Sequence, residues 1–291
     1  YGSVTLPAYT QKGLKGVVYE VRDSAGKVVA TLTTDDSGVA ETEMLPLGKY
    51  TVQEKSAPVA YLVDDTVHEV TLAYKDQNTP VVTVTVKADN ELRTGGVKIR
   101  KITEKFNYEN IDFYNALAEG YVFGLYTAET IGDVPADVLV EVLTTDSQGV
   151  SESKAKLPYG NYYLKEFFVP DEIVHLLKAN LPLTISSEQN VQYYDNPIYN
   201  TMFKSKIGVY KLDAANTERT LEGAVFEVRD ASGKLFDTIT TNKDGYAETI
   251  EIPVGVYKVK EVQSPAGFIL SDEVKTVTLT TEDKKTAVFE L

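Results

Sequence analysis

The sequence predicts an all-β chain of three tandem sandwiches of immunoglobulin-like size, and three observations carry that expectation. Runs rich in Val, Ile, Thr and Tyr alternate with polar residues at period two, the signature of half-buried strands. Turn clusters such as Ser24-Ala25-Gly26, Asp36-Ser37-Gly38 and Lys243-Asp244-Gly245 separate them at roughly 8–12-residue intervals, the spacing of a sandwich. A long block of the chain also recurs.

The recurrence sets the domain plan. VRDSAGKVVATLTTDDSGVAET (21–42) aligns without a gap to VRDASGKLFDTITTNKDGYAET (228–249). Gly48 and Glu54 match Gly255 and Glu261 at the same offset of 207 residues. A more diverged copy lies between them, with FGLYTAET (123–130) and LTTDSQGVSES (143–153), and with extra residues around 103–118 and 131–139. Domains are therefore expected at 1–92, 93–203 and 204–291. Helical periodicity is scarce; Asp171 to Ala179 is the one candidate for a short helix, inside a loop.

Each copy sends a charge toward the core. In GKYTVQE (48–54), GNYYLKE (160–166) and GVYKVKE (255–261), Tyr50 and Val52, Tyr162 and Leu164, and Tyr257 and Val259 share a face. Glu54, Glu166 and Glu261 come next on it. The stripes Val97, Ile99, Lys101 and Ile207, Val209, Lys211 end in lysine the same way. A carboxylate or ammonium on a buried face is costly unless paired or neutralised. A buried Lys and a buried Glu together suggest chemistry within a core.

YKVKEVQSPAGF (257–268) resembles the E-box of Gram-positive pilins and of collagen-adhesin B-type (CnaB) stalk domains, whose fold is prealbumin-like. YTVQEKSAPVAY (50–61) is a second copy and YYLKEFFVPDEI (162–173) a weaker one. GVYKLDAANTERTLEGAVFEV (208–228) is similar to that family's first strand, loop and second strand, echoed by LAEGYVFGLY (117–126) and LKGVVYEV (14–21). The resemblance implies an intramolecular isopeptide bond between the first-strand Lys and a last-strand Asn or Asp, promoted by the E-box Glu. In repeat two it assigns Lys101, Glu166 and an asparagine. Asn200 is favoured because it precedes Lys211 by 11 residues, as Asn90 precedes Lys101; Asn196, at 15, is the alternative. In repeat one Val4, Leu6 and Ala8 fall where Val97, Ile99 and Lys101 fall, so Glu54 and Asn90 face an alanine with no nucleophile. Repeat three has Lys211 and Glu261, with its acceptor expected one to a few residues past Leu291.

The implied chemistry needs burial. A lysine with a pKa near 10.4 is protonated in neutral water, and a carboxamide is a poor electrophile. Desolvation favours the free amine and the neutral acid. A neutral Glu is then expected to hydrogen-bond to the Asn carboxamide oxygen, polarise its carbon and relay a proton to the departing ammonia. The reaction is effectively unimolecular and happens once, so it is maturation rather than enzyme turnover. By analogy with a disulfide closing a loop of about 100 residues, the bond would contribute ~4–5 kcal/mol.

Composition bounds the partners. The chain has 291 residues, is 43% hydrophobic and 25% charged, and carries a net charge of −14. That balance fits a globular protein and argues against nucleic acid or an anionic membrane as partner. There is no cysteine, hence no disulfide, thiol nucleophile or thiolate metal site. Asp35-Asp36 and Asp146 read as turns rather than calcium loops, and His68 and His175 as surface or loop residues without ligand spacing. No cofactor or metal is expected. Neither a membrane-length apolar run nor a signal peptide or sorting tail is recognised. The resemblance implies a structural stalk of a cell-wall-anchored adhesin or pilin, extracellular, held through a segment absent here and partnered by neighbouring domains of the same protein. The other function class is a module binding a host protein or glycan, placed in the diverged middle repeat.

Overall fold

The period-two pattern becomes strands throughout, and a computed structural model of the chain describes residues 13–189, 192–282 and, for the backbone, 287–290. The expected first strand of repeat one, with Val4, Leu6 and Ala8, and the terminal Leu291 lie outside the described residues. Each repeat builds one four-stranded antiparallel sheet in the same order. In repeat one it runs Val28–Thr33, Val18–Asp23, Gly48–Ser56, Val67–Leu72; in repeat two Leu139–Thr144, Val122–Thr127, Gly160–Phe168, Leu181–Ile185; in repeat three Leu235–Thr240, Val225–Asp230, Gly255–Gln263, Val274–Leu279. The chain is all-β, with no helix among the described residues.

A second sheet faces the first in repeats two and three. In repeat two Lys98–Asn107 lies between Val150–Glu152 and Ile198–Asn200, and pairs further along with Asp112–Leu117. In repeat three Ile207–Tyr210 lies between Tyr246–Glu248 and Ala287–Glu290. The first and last strands of these repeats run parallel. Between the sheets sit two apolar clusters. One is centred on Ile99, Phe123, Leu125, Tyr162 and Leu164, the other on Val209, Phe226, Val228, Tyr257 and Val259. The second also takes in Phe106, Val174 and Met202 of repeat two.

Small polar devices recur with the strands. Buried Thr34, Thr145 and Thr241 each accept from the backbone N–H of Val17, Tyr121 and Ala224 through the side-chain hydroxyl. The same hydroxyls donate to the carbonyls of Leu14, Ala118 and Leu221. Each threonine thereby closes the loop leading into the second strand and leaves no orphaned donor.

Two expectations are corrected. Residues 171–179 form no helix: Asp171 Oδ1 accepts from Ile173 N–H at 3.1 Å, and the chain then runs extended, with His175 N–H donating to Thr201 O at 2.8 Å. The apolar positions that mimic a helical face place Val174 against Met202 instead. His68 is not in a loop; it lies half-buried on Val67–Leu72, opposite Val52. His175 is exposed in its loop, its ring centroid 3.6 Å from that of Phe203.

Candidate functional site

The central strand of each main sheet carries its glutamate to the same place. Tyr50, Tyr162 and Tyr257 are buried, and four residues on Glu54, Glu166 and Glu261 retain only 5%, 2% and 2% of their exposure. Their backbone partners are Tyr19, Phe123 and Phe226. Immediately after each glutamate the register slips by one residue, at Lys55, Phe167 and Val262. A β-bulge bends the strand and re-aims the adjoining side chain, which suits a strand delivering one polar group between two sheets.

In repeat two the opposite sheet supplies the partners. Lys101 has no exposed surface and Asn200 only 4%. Lys101 Nζ donates to Asn200 Oδ1 at 2.6 Å and, more weakly, to the carbonyls of Ile102 and Ile198 at 3.3 Å each. Asn200 Nδ2 donates to Glu166 Oε2 at 2.8 Å, and Leu177 N–H donates to the same oxygen at 2.6 Å. Glu166 Oε1 accepts no hydrogen bond and stands 3.8 Å from Lys101 Nζ. Burial pushes the Lys101 ammonium down to about 8, against the upward pull of the Glu166 carboxylate. Desolvation wins because the charge has left water almost entirely.

The carboxamide orientation differs from the arrangement read from the sequence. Glu166 was expected on the carboxamide oxygen; it sits on the nitrogen, and the oxygen faces the lysine. A cation on one side and a carboxylate on the other align the amide dipole in this sense. Asn196 lies elsewhere, beside a shallow pocket with Tyr193, Asn161 and Thr184. Tyr121, which sequence reasoning did not single out, places its ring centroid 5.1 Å from Lys101 Nζ, and its hydroxyl donates to Thr103 Oγ1 at 2.8 Å. Repeats one and three have Val17 and Ala224 at that position, and only this departure hinted at it.

The other two glutamates have different partners. In repeat three Lys211 Nζ is 3.2 Å from both Glu261 oxygens, with side-chain exposures of 12% and 1%. Ser271 N–H donates to Glu261 Oε2 at 2.9 Å, the counterpart of Leu177. In repeat one Asn90 Nδ2 reaches both Glu54 oxygens, at 2.8 and 2.9 Å, and the Leu62 carbonyl at 2.9 Å. Ala8 lies outside the described residues.

Beside each glutamate strand stands a buttress that sequence reasoning also passed over. The hydroxyls of Tyr50, Tyr162 and Tyr257 donate to the carbonyls of Pro46, Pro158 and Pro253, each at 2.7 Å. The signal was present in LPLGKY, LPYGNY and IPVGVY, where a proline precedes the tyrosine by four residues in every copy. The acidic turns are self-contained: Asp35 Oδ1 accepts from Ser37 and Val39 N–H, and Asp146 Oδ1 from Gln148 and Val150 N–H. No group of three potential ligands poised for a metal occurs among the described residues.

Comparison with known proteins places this geometry in context. A family model described as "SpaA: Prealbumin-like fold domain" matches residues 6–90 and 205–290. Over 77 residues the chain is 39% identical to the "Trypsin-resistant surface T6 protein" of Streptococcus pyogenes, covering 26% of this chain and 14% of that protein. It is 25% identical over 285 residues to "Serine-aspartate repeat-containing protein D" of Staphylococcus aureus, covering 89% of this chain and 21% of the relative. The chain thus spans about a fifth or less of these curated relatives. Among solved structures, "The Bacillus anthracis TIE protein" superposes with a TM-score of 0.56 at 25% identity, over 96% of this chain and 48% of that one.

Proposed function

This chain belongs to the SpaA prealbumin-like fold domain family, and from that premise we propose that it is a stalk segment of a Gram-positive, cell-wall-anchored adhesin or pilin, stabilised by an isopeptide bond between Lys101 and Asn200. One observation carries the reading: Lys101, Asn200 and Glu166 touch one another in a pocket closed to water. One curated relative is a surface protein of Streptococcus pyogenes, and no helix is long and apolar enough to cross a membrane among the described residues. The segment is read as extracellular, joined to other domains of the same surface protein.

The chemistry follows from the contacts. With an ammonium held down at about 8, about a tenth of the lysine is free amine at pH 7. The lone pair of Nζ adds to Cγ of Asn200. Glu166 takes the surplus proton from Nζ and, as the tetrahedral carbon collapses, passes a proton to Nδ2. The Cγ–Nδ2 bond breaks, ammonia leaves, and Glu166 ends as it began. One Nζ–Cγ bond replaces one Cγ–Nδ2 bond. Preorganisation supplies the acceleration, since no group travels. The product ties the first strand to the last, so tension along the chain passes through a covalent bond rather than through the sheet.

Intact mass tests this. The mature chain should weigh one ammonia less than its sequence, Lys101→Ala should restore the full mass, and peptide mapping should join Lys101 to Asn200. An unmodified wild-type mass, or a link to Asn196, would overturn the assignment.

A further inference from the structure

The insertion of repeat two at 103–118 projects as a hairpin: Lys98–Asn107 continues past the sandwich, paired with Asp112–Leu117 from Ile102↔Leu117 to Asn107↔Asp112. Its turn is fixed internally, with Ile111 N–H donating to Asn107 O and Glu109 N–H to Asn107 Oδ1. Three aromatic rings crowd its tip; Phe106 lies 4.8 Å from Phe113 and 5.1 Å from Tyr108, both edge-on. The cluster reaches into repeat three. Phe106 stacks on Phe236 at 5.8 Å and 14°, and Phe236 meets Tyr257 edge-on at 5.2 Å. Phe106 and Phe236 are buried, at 8% and 5%.

Polar contacts rim this centre. Lys234 Nζ of repeat three donates to the hairpin carbonyls of Tyr108 and Glu109. Lys204 Nζ stands 3.2 Å from Glu104 and 3.3 Å from Glu251, and 4.6 Å from the Phe113 ring centroid. Val174 and Met202, with the half-buried Ile173, close the flank. An apolar centre with a charged rim is the anatomy of a stable interface rather than of two beads on a string. Both joints share one backbone device: Leu62 N–H to Glu91 O and Arg93 N–H to Ala60 O ahead of repeat two, and His175 N–H to Thr201 O and Phe203 N–H to Ile173 O ahead of repeat three. The aromatic hairpin is added at the second joint. Neither apolar cluster includes a described residue of repeat one.

We infer that the 103–117 hairpin is a clamp whose partner is the third repeat of the same chain, so that repeats two and three form one rigid rod and bending is confined to the segment between repeats one and two. The clamp is rooted in the strands that bear the candidate cross-link: Phe106 is five residues past Lys101, and Met202 two past Asn200. A transverse load on repeat three is therefore delivered to the strand pair best able to bear it. Phe106 is committed within the chain, whereas Tyr108 at the tip keeps about half of its surface exposed. The inference holds whether or not the bond forms.

A chain without cysteine accepts paired spin labels cleanly. Labels at Lys165→Cys and Lys260→Cys, both exposed, span the clamp; Lys49→Cys and Lys165→Cys span the other joint. Pulsed dipolar spectroscopy on the full chain should give a narrow distance distribution across the clamp and a broad one across the first joint. Phe106→Ala and, separately, Lys234→Ala should broaden the first by about twofold or more, because a weakened interface restores the ordinary freedom between domains. The second pair should not change. Lys234→Ala removes only a rim contact and should leave the circular dichroism spectrum unchanged, so misfolding of the Phe106 variant does not decide the outcome. Equal widths across both joints, or no response to either variant, would overturn the clamp. Intact mass, read on the same samples, reports the cross-link separately.

Discussion

Asn200 sits opposite Thr103, two places beyond Lys101, in the parallel pairing of the last and first strands of repeat two. Residues 101 and 103 share a face, both buried, and the two-residue stagger lets the asparagine reach back to the lysine amine. In repeat three the equivalent pairing sets Tyr210 opposite Glu290. Carried forward residue by residue, it brings the position three after Glu290 opposite Asp213, two beyond Lys211.

A chain with asparagine at that position should therefore form a bond to Lys211 and release one ammonia from repeat three. Asparagine one place earlier or later should not, because neighbouring residues on a strand point to opposite faces. Intact mass with a Lys211→Ala control decides. Bond formation at the neighbouring positions would show that the parallel register is not kept.

The buried amine also leaves a signature in stability. Folding lowers the Lys101 pKa from 10.5 to about 8, so between these values the unfolded chain holds a proton that the native chain lacks. Stability then rises with pH across that window and is flat below it. In an Asn200→Ala background, where no bond can form, chemical denaturation should show a gain of about 3 kcal/mol from pH 7.5 to 10.5, measured against the same chain with Lys101→Met. A flat or falling difference would mean that the lysine is not desolvated.

Much of this was legible in the sequence, for a definite reason. Strand faces follow from alternation, so the common placement of Tyr162, Leu164 and Glu166 could be read from spacing, and the sandwich from the repeated turns. What escaped was set by tertiary contacts. The turn of the Asn200 carboxamide depends on two charges that approach from different sheets. The burial of Phe106 and Val174 depends on a neighbouring repeat, and for that reason 171–179 imitated a helix. The tyrosine–proline contacts were readable, since LPYGNY and IPVGVY repeat the spacing, but their meaning required knowing that the strand folds back.

Repeat three offers a test of what the buried Lys211–Glu261 pair contributes. Glu261 is 1% exposed and depends on Lys211 and the Ser271 N–H. Lys211→Met leaves a buried carboxylate short of its cation and should destabilise this repeat by ~3–5 kcal/mol. Adding Glu261→Gln removes the uncompensated charge and should recover most of the loss. Denaturation of both variants is the measurement; equal losses would mean that water reaches Glu261 freely.

The repeated tyrosines give a graded expectation. Each hydroxyl satisfies a proline carbonyl at the same distance, but the Tyr162 and Tyr257 bonds are buried whereas that of Tyr50 is partly exposed. Removing a buried donor strands its acceptor, and water cannot replace it. Tyr162→Phe and Tyr257→Phe should therefore each cost ~1–3 kcal/mol, with Tyr162→Phe measured in a Lys101→Met background so that a cross-link does not mask the change. Tyr50→Phe should cost less, about 1 kcal/mol or below, because solvent can reach the Pro46 carbonyl. If the three changes cost the same, burial does not set the strength of this contact. If none costs anything, the tyrosine holds the glutamate strand by ring packing alone.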